Sequence, residues 1–308
     1  MNGTAFKHGA RRRASVRRGA LVALAIAAIA VVSGCGASGS AGGGSDDRRS
    51  LVQEVQSRGE LRVGVAAATP DLYKDPKSGE WKGVYVDLMQ AWADTLGVKL
   101  KPVETSWDQM IAALQAHRID VAPDVDATAQ RATSVQFSDG VRSTTGMFAL
   151  APKSTARSWE QLDDPATTIC IAKGTTTGEA LKASKPRAKL LELANQNACL
   201  AAVTAGRAEA LFDTVVTATG FAAATAGVRT LFPPRAILNN PAALAIALGH
   251  PYSDVAALNV QIRQWKADPG GYAASLARNN AVVTPLRYVL EPVPAWAQQM
   301  VEQDFPRS

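Results

Sequence analysis

Histidine and cysteine are scarce, with three of each in 308 residues. His8 falls in an N-terminal leader, which leaves His117 and His250 for any acid–base chemistry. Neither stands at a spacing that pairs it with a nucleophile. His117 at a helix end and His250 before Pro251 are both expected at the surface. Asp124-x-Asp126 offers two carboxylates to a metal but no third ligand at plausible spacing, so no metal is expected. No phosphate-binding loop stands out, and no cofactor is expected. Long apolar runs are absent after residue 32, whereas a membrane span needs about 20 residues. A basic surface is missing as well. The chain has 33 Lys and Arg against 27 Asp and Glu, a net charge of +6. Six of those basic residues precede Cys35 with no acid among them, which leaves 27 against 27. The high isoelectric point belongs to the leader, and nucleic acid is excluded as a partner.

What is present begins with an address. Lys7, Arg11, Arg12, Arg13, Arg17 and Arg18 precede the apolar residues 19–32, and Val32-Ser33-Gly34-Cys35 follows. Small residues before a cysteine, directly after an apolar core, form the pattern of a lipoprotein cleavage site. Residues 1–34 are read as the signal peptide, and Cys35 as the lipidated first residue of the mature chain. The competing readings are an ordinary signal peptide or an anchor, for which the apolar stretch is short. Residues 36–45 are Gly, Ala and Ser throughout, a flexible tether, and the linker is taken to residue 50. The protein is thus expected outside the cytoplasm, held to the membrane by lipid.

With Cys35 assigned to lipid, Cys170 and Cys199 remain. Export places them where disulfides persist, and a bridge is expected; the other reading is two buried free thiols. Helix and strand spacings alternate along the body. Leu61–Ala66, Val98–Val103 and Ile119–Ala122 read as strands. Val84, Leu88, Trp92 and Leu96, four apart and followed by Gly97, predict a helix. Ser106-x-x-Gln109 reads as a capping box for a helix to Ala116. The rhythm resumes with strands at Thr168–Ala172, Lys189–Leu193 and Ala208–Phe212 and helices at Thr177–Ala183 and Cys199–Ala205. Strands alternating with helices point to α/β layers with a mostly parallel sheet. Residues 145–151 and 242–249 are extended and apolar, and are expected to cross between two lobes. Ser253–Ala267 is a further helix, and Trp296–Gln303 a short one in an unplaced tail.

The order of several short stretches resembles the family-3 solute-binding proteins, the polar amino-acid receptors of ABC transporters. They are Gly59-Glu60-Leu61-Arg62-Val63-Gly64-Val65, Gly83-Val84-Tyr85-Val86-Asp87-Leu88, Trp107-Asp108-x-Met110-Ile111-x-Ala113-Leu114-Gln115 with Ile119-Asp120-Val121, Thr128-x-x-Arg131, Val135-x-Phe137-Ser138, Gly174-Thr175-Thr176 and Gly206-Arg207-x-Glu209-Ala210. The cysteine pair looks like that of actinobacterial glutamate-type receptors. The resemblance implies a two-lobed, type II periplasmic-binding-protein-like fold with two hinge strands. Lobe 1 would hold 51–148 plus 246–280 and lobe 2 would hold 149–245, with 281–308 as a C-terminal extension. It also implies a monomer that delivers an amino acid to an ABC permease, with a glutamate, glutamine or aspartate class favoured.

The site residues follow from the same resemblance and from chemistry. Arg131 holds the position that takes the ligand carboxylate, to which a guanidinium fork is suited. Asp213, at the C-terminal end of a strand, would take the ammonium; its other reading is a helix cap. Thr175 and Thr176 lie between strand and helix, where backbone N–H groups attract anions. Trp107 would stack on the ligand or pack in the core, and Tyr73 is a weaker aromatic candidate. Two departures stand out. Ala66-Ala67-Ala68-Thr69 lacks the acid and aromatic of many relatives. Asp124 and Asp126 stand where relatives carry small or hydroxyl residues, and would repel an anion. Either one of them pairs with Arg131, or one takes over the ammonium, or the ligand is cationic or is not an amino acid. A signalling receptor and a cyclohexadienyl dehydratase-like enzyme are the rival functions on the same fold.

Overall fold

The computed structural model describes residues 49–280 and 293–304. The expected signal peptide, Cys35 and most of the tether lie outside those residues. Among the described residues, no helix is long and apolar enough to cross a membrane.

The chain opens with α1 (Leu51–Arg58), whose first N–H groups meet the Ser50 hydroxyl and the buried Asp254 carboxylate. Strand β1 (Glu60–Val65) leads to a hairpin of β2 (Tyr73–Lys74) and β3 (Trp81–Lys82). Helix α2 (Val84–Leu96) buries Val84, Leu88 and Trp92, the residues its four-apart spacing predicts, and Gly97 closes it at φ 69°. Then come β4 (Lys99–Glu104), α3 (Met110–Gln115), β5 (Ala122–Asp126), α4 (Ala129–Ala132) and β6 (Val135–Leu150). The middle of the chain holds α5 (Trp159–Leu162), β7 (Thr168–Ala172), α6 (Thr176–Ala183), β8 (Lys189–Leu193), α7 (Gln196–Thr204), β9 (Ala210–Thr214), α8 (Val215–Ala224) and β10 (Arg229–Leu231). Strand β11 (Asn239–Ala247) returns to the first elements, followed by α9 (Tyr252–Ala267), α10 (Tyr272–Asn280) and, after the undescribed 281–292, α11 (Gln298–Asp304).

Two long strands carry the architecture. The sheet runs β5-β11-β6-β9-β7-β8, with β10 also on β6. The first eleven residues of β6 run antiparallel beside β11, from Val135↔Ala247 to Thr145↔Asn239. The rest of β6 pairs with β9, from Gly146↔Thr214 to Leu150↔Ala210. One strand therefore belongs to both lobes, and β11 runs beside it at the crossing. Parallel pairs β1–β4 and β7–β8 lie on either side. The all-buried Ile169–Ala172 of β7 shows a strand covered on both faces. The apolar clusters change at the same places. Two draw on residues between 51 and 141 and between 242 and 276. Two others draw on residues between 147 and 238, one of them joined by Ala297 and its neighbours. The molecule is a mixed α/β protein of two lobes.

Several expectations need correction. Ser106 makes no cap; its hydroxyl donates to Asp108 Oδ1 at 2.5 Å, and Trp107–Gln109 form a 3-10 turn before α3 begins. The third strand starts later than predicted. Val121 makes only a single bridge to Val63, and the ladder with β11 begins at Ala122. Helix α7 starts at Gln196, because the Asn195 side chain accepts from Ala198 N. His250 is buried, its Nδ1 3.0 Å from the Arg49 carbonyl, whereas His117 is exposed as expected. The tail has a place: Ala297 is buried among the apolar residues around Cys170 and Phe232, and Trp296 packs edge-on to Phe232 at 5.5 Å.

Candidate functional site

A cleft of about 560 Å³, counted with its opening to solvent, lies beside the crossing strands. One wall comes from the first lobe and the other from the second. The first contributes Trp107, Met110, Asp124, Asp126, Arg131 and Thr144; the second contributes Gly174, Thr175, Thr176, Gln196, Asp213 and Thr217. Seven of the eight ligand-binding candidates from the sequence are thus brought to one cavity. Tyr73 is the exception. It is buried away from the cleft, its hydroxyl donating to Asn279 Oδ1 at 3.2 Å, because the β2–β3 hairpin turns it toward α10.

Arg131 sits in α4, which starts at Thr128; the threonine hydroxyl accepts from Arg131 N. Its guanidinium donates to the Asp126 carbonyl at 3.2 Å and, across the cleft, to the Gly174 carbonyl at 3.1 Å. Burial lowers its pKa from the ordinary value, opposed by the Asp126 charge. Asp126 is buried and accepts from the Thr176 hydroxyl of the other lobe and from Thr144. Burial pushes its carboxyl up, while those hydroxyls and Arg131 pull it down. Arg131 thus meets Asp126 through its backbone carbonyl, while its charge acts on the Asp126 carboxyl at longer range.

Asp124 is unusual in backbone as well as charge. Its φ is 59°, a left-handed conformation inside a strand that aspartate tolerates better than most residues. Burial drives its carboxyl well above the usual range, Asp126 adds to the rise, and the Tyr85 hydroxyl opposes it. Asp213 ends β9 with 1% exposure. Its Oδ1 accepts from Thr214 N at 2.7 Å, and Oδ2 is buried without a hydrogen-bond partner. Burial raises this carboxyl to about 7, against the pull of Thr214 N and Thr217. Asp213 is not the helix cap; Thr214 is, its hydroxyl accepting from Thr217 N.

Thr175 caps α6, accepting from Gly178 N and donating to the Ala172 carbonyl at 2.8 Å. Gly174 lies where the lobes touch. Its φ is 77°, and a Cβ there would sit 2.6 Å from Asp108 Cβ. Trp107 lines the cleft and packs partly against the first lobe's apolar clusters, with Nε1 3.4 Å from the Ala67 carbonyl. Cys170 and Cys199 form a disulfide, Cα–Cα 5.6 Å, which ties β7 to α7. Sequence reasoning missed Thr144, Gln196 and Thr217 on the cleft wall and Tyr85 behind Asp124. Only strand register and helix docking bring them there, and no local signal marks them.

Residues 61–280 match the bacterial extracellular solute-binding proteins, family 3. A probable amino-acid ABC transporter periplasmic-binding protein of Sinorhizobium fredii is 28% identical over 178 residues, 56% of this chain and 59% of that protein's length. The ABC transporter glutamine-binding protein of Bacillus subtilis is 28% identical over 198 residues, 62% of this chain and 72% of that protein. Among solved structures, an ancestral amino-acid-binding protein described as a precursor of cyclohexadienyl dehydratase is 30% identical, with a TM-score of 0.66. The alignment covers 75% of this chain and 99% of that one. With its two lobes on crossing strands and a match running through nearly all of them, this chain belongs to the bacterial extracellular solute-binding proteins of family 3.

Proposed function

We propose that the protein is the extracytoplasmic receptor of an ABC importer, a monomer that captures an amino acid by closing its lobes and presents it to a membrane permease. The observation that carries this reading is the pair of bonds across the cleft, Arg131 to the Gly174 carbonyl and Thr176 to Asp126, around a cavity with a guanidinium and a buried carboxylate that keeps one oxygen without a partner. An amino acid brings one carboxylate and one ammonium, and burial of either without a partner is costly. Arg131 takes the carboxylate and Asp213 the ammonium. Only the closed state serves both, so ligand selects it. The moving bodies are 51–148 with 246–280, and 149–245. The names of the relatives, amino-acid and glutamine receptors, support the ligand class. Lipid on Cys35 holds the receptor at the membrane, and mass spectrometry of the mature N-terminus tests that part.

The function is tested by thermal unfolding of the full-length protein in detergent against the twenty amino acids. A ligand at 100 times its Kd stabilises by about 2.7 kcal/mol. At least one amino acid should raise the melting temperature, and Arg131→Ala should remove the effect. If none does, the receptor reading fails.

A further inference from the structure

Behind the cleft, toward the crossing strands, lies a second cavity of about 300 Å³. Asp124, Thr144 and Thr214 line both spaces. The rear cavity also has Asp71, from the loop before β2, and Arg142, from β6. These two form an ion pair through Asp71 Oδ2 and Arg142 Nη2, both side chains almost wholly buried. The other oxygen, Asp71 Oδ1, is buried with no hydrogen-bond partner among the described residues.

The charges on the two walls are unequal. Front and rear together present four carboxylates, Asp71, Asp124, Asp126 and Asp213, against two guanidinium groups, Arg131 and Arg142. Each space ends on a carboxylate oxygen that lacks a donor, Asp213 Oδ2 in front and Asp71 Oδ1 behind, each on a side chain 1% exposed. Asp124 stands at the passage between them. Burial holds carboxyls such as Asp124 and Asp213 toward their neutral forms, and a cation arriving beside them favours the charged forms. An acidic ligand side chain would add another negative charge to this wall, and an amide could donate to the rear oxygen but would leave the excess of carboxylates without a countercharge.

We infer that the solute is an amino acid with a cationic side chain, its ammonium held at Asp213 and its side-chain cation directed past Asp124 toward Asp71. The inference rests on the amino-acid receptor reading above and departs from the acidic or amide class that the resemblance implies. A nearby carboxylate favours a cation by charge and by hydrogen bond together. Lysine and arginine carry the donor that Asp71 Oδ1 lacks and a charge to set against Asp124, and they place both several methylenes beyond the α-carbon.

The test is isothermal titration calorimetry of the full-length protein in detergent with arginine, lysine, glutamine, glutamate and putrescine. Arginine or lysine should bind at least tenfold tighter than glutamine and glutamate. Asp124→Asn should cut that preference at least tenfold. If Asp124→Asn does not fold, Met300→Trp serves instead. Met300 lines the rear cavity from α11 and touches none of the carboxylates' roles, so a larger side chain there should weaken arginine more than glutamine. Glutamine or glutamate binding as tightly as the basic amino acids would overturn the inference and leave the receptor reading standing. An intact preference in either variant would overturn the rear-cavity route. Putrescine alone binding, or nothing binding, would overturn the receptor reading and the inference with it.

Discussion

Replacing Asp213 with asparagine should stabilise the ligand-free protein, by an amount that grows with pH. The folded protein holds this carboxyl at about 7, against an ordinary value of 3.8. Between those values the folded state keeps a proton that the unfolded chain gives up. Stability therefore falls as pH rises through that window, by about 1.4 kcal/mol per pH unit for one group. The contribution is fully present below 3.8 and is lost once pH passes about 7. Across the whole window the loss comes to about 4 kcal/mol, and from about pH 5 to about pH 8 it comes to about 3 kcal/mol. Asparagine has no proton to lose. Its carbonyl still accepts from Thr214 N, and the unpartnered oxygen becomes an amide. Urea unfolding of wild type and Asp213→Asn at pH 5, 6, 7 and 8 measures the difference. The gain from the variant should widen by about 3 kcal/mol across the series, while its ligand affinity drops. Parallel stability curves would refute the reasoning, since they would show Asp213 charged at little cost.

Two further outcomes follow from the packing. Cys170→Ala with Cys199→Ala, or reduction of the wild type, should lower stability by about 3–4 kcal/mol, the loop-entropy value for a 29-residue separation; an unchanged urea midpoint would deny the bridge a stabilising role. Gly174→Ala should weaken ligand binding at least tenfold, because its Cβ would strike Asp108 when the lobes meet, while its left-handed backbone should cost the free protein only about 1–2 kcal/mol. Calorimetric titration beside thermal unfolding separates the two effects, and unaltered affinity would mean that the lobes do not meet there.

Much of the fold is legible because local and tertiary demands agree. Helix α2 shows this: the same four-apart residues that favour a helix are the ones buried, and Gly97 stops it where the pattern ends. Strand β5 shows the opposite. Its residues 122–126 include Asp124 and Asp126, which strands disfavour, so the apolar Ile119–Ala122, which reaches only its first residue, looks like the strand. The ladder is set by β11, more than a hundred residues later. Local rules fail at the stretch that lines the cleft, as they do where a site imposes its own chemistry. Arg131 and Asp213 were found by their place in a family pattern, since a lone arginine or aspartate carries no such signal. Asp71 and Arg142 lie 71 positions apart and pair only through the fold. Thr144 is one hydroxyl in a long strand, and its meaning depends on what faces it.

The family match stops at residue 280, yet Trp296, Ala297 and Met300 are packed into the second lobe's apolar cluster. The segment around α11 is therefore carried by one lobe alone. A fluorophore on the exposed Gln299 of α11 would ride with that lobe, and a second one on the exposed face of α2 would ride with the other. Energy transfer between them would read the distance between lobes directly, without a label anywhere near the cleft.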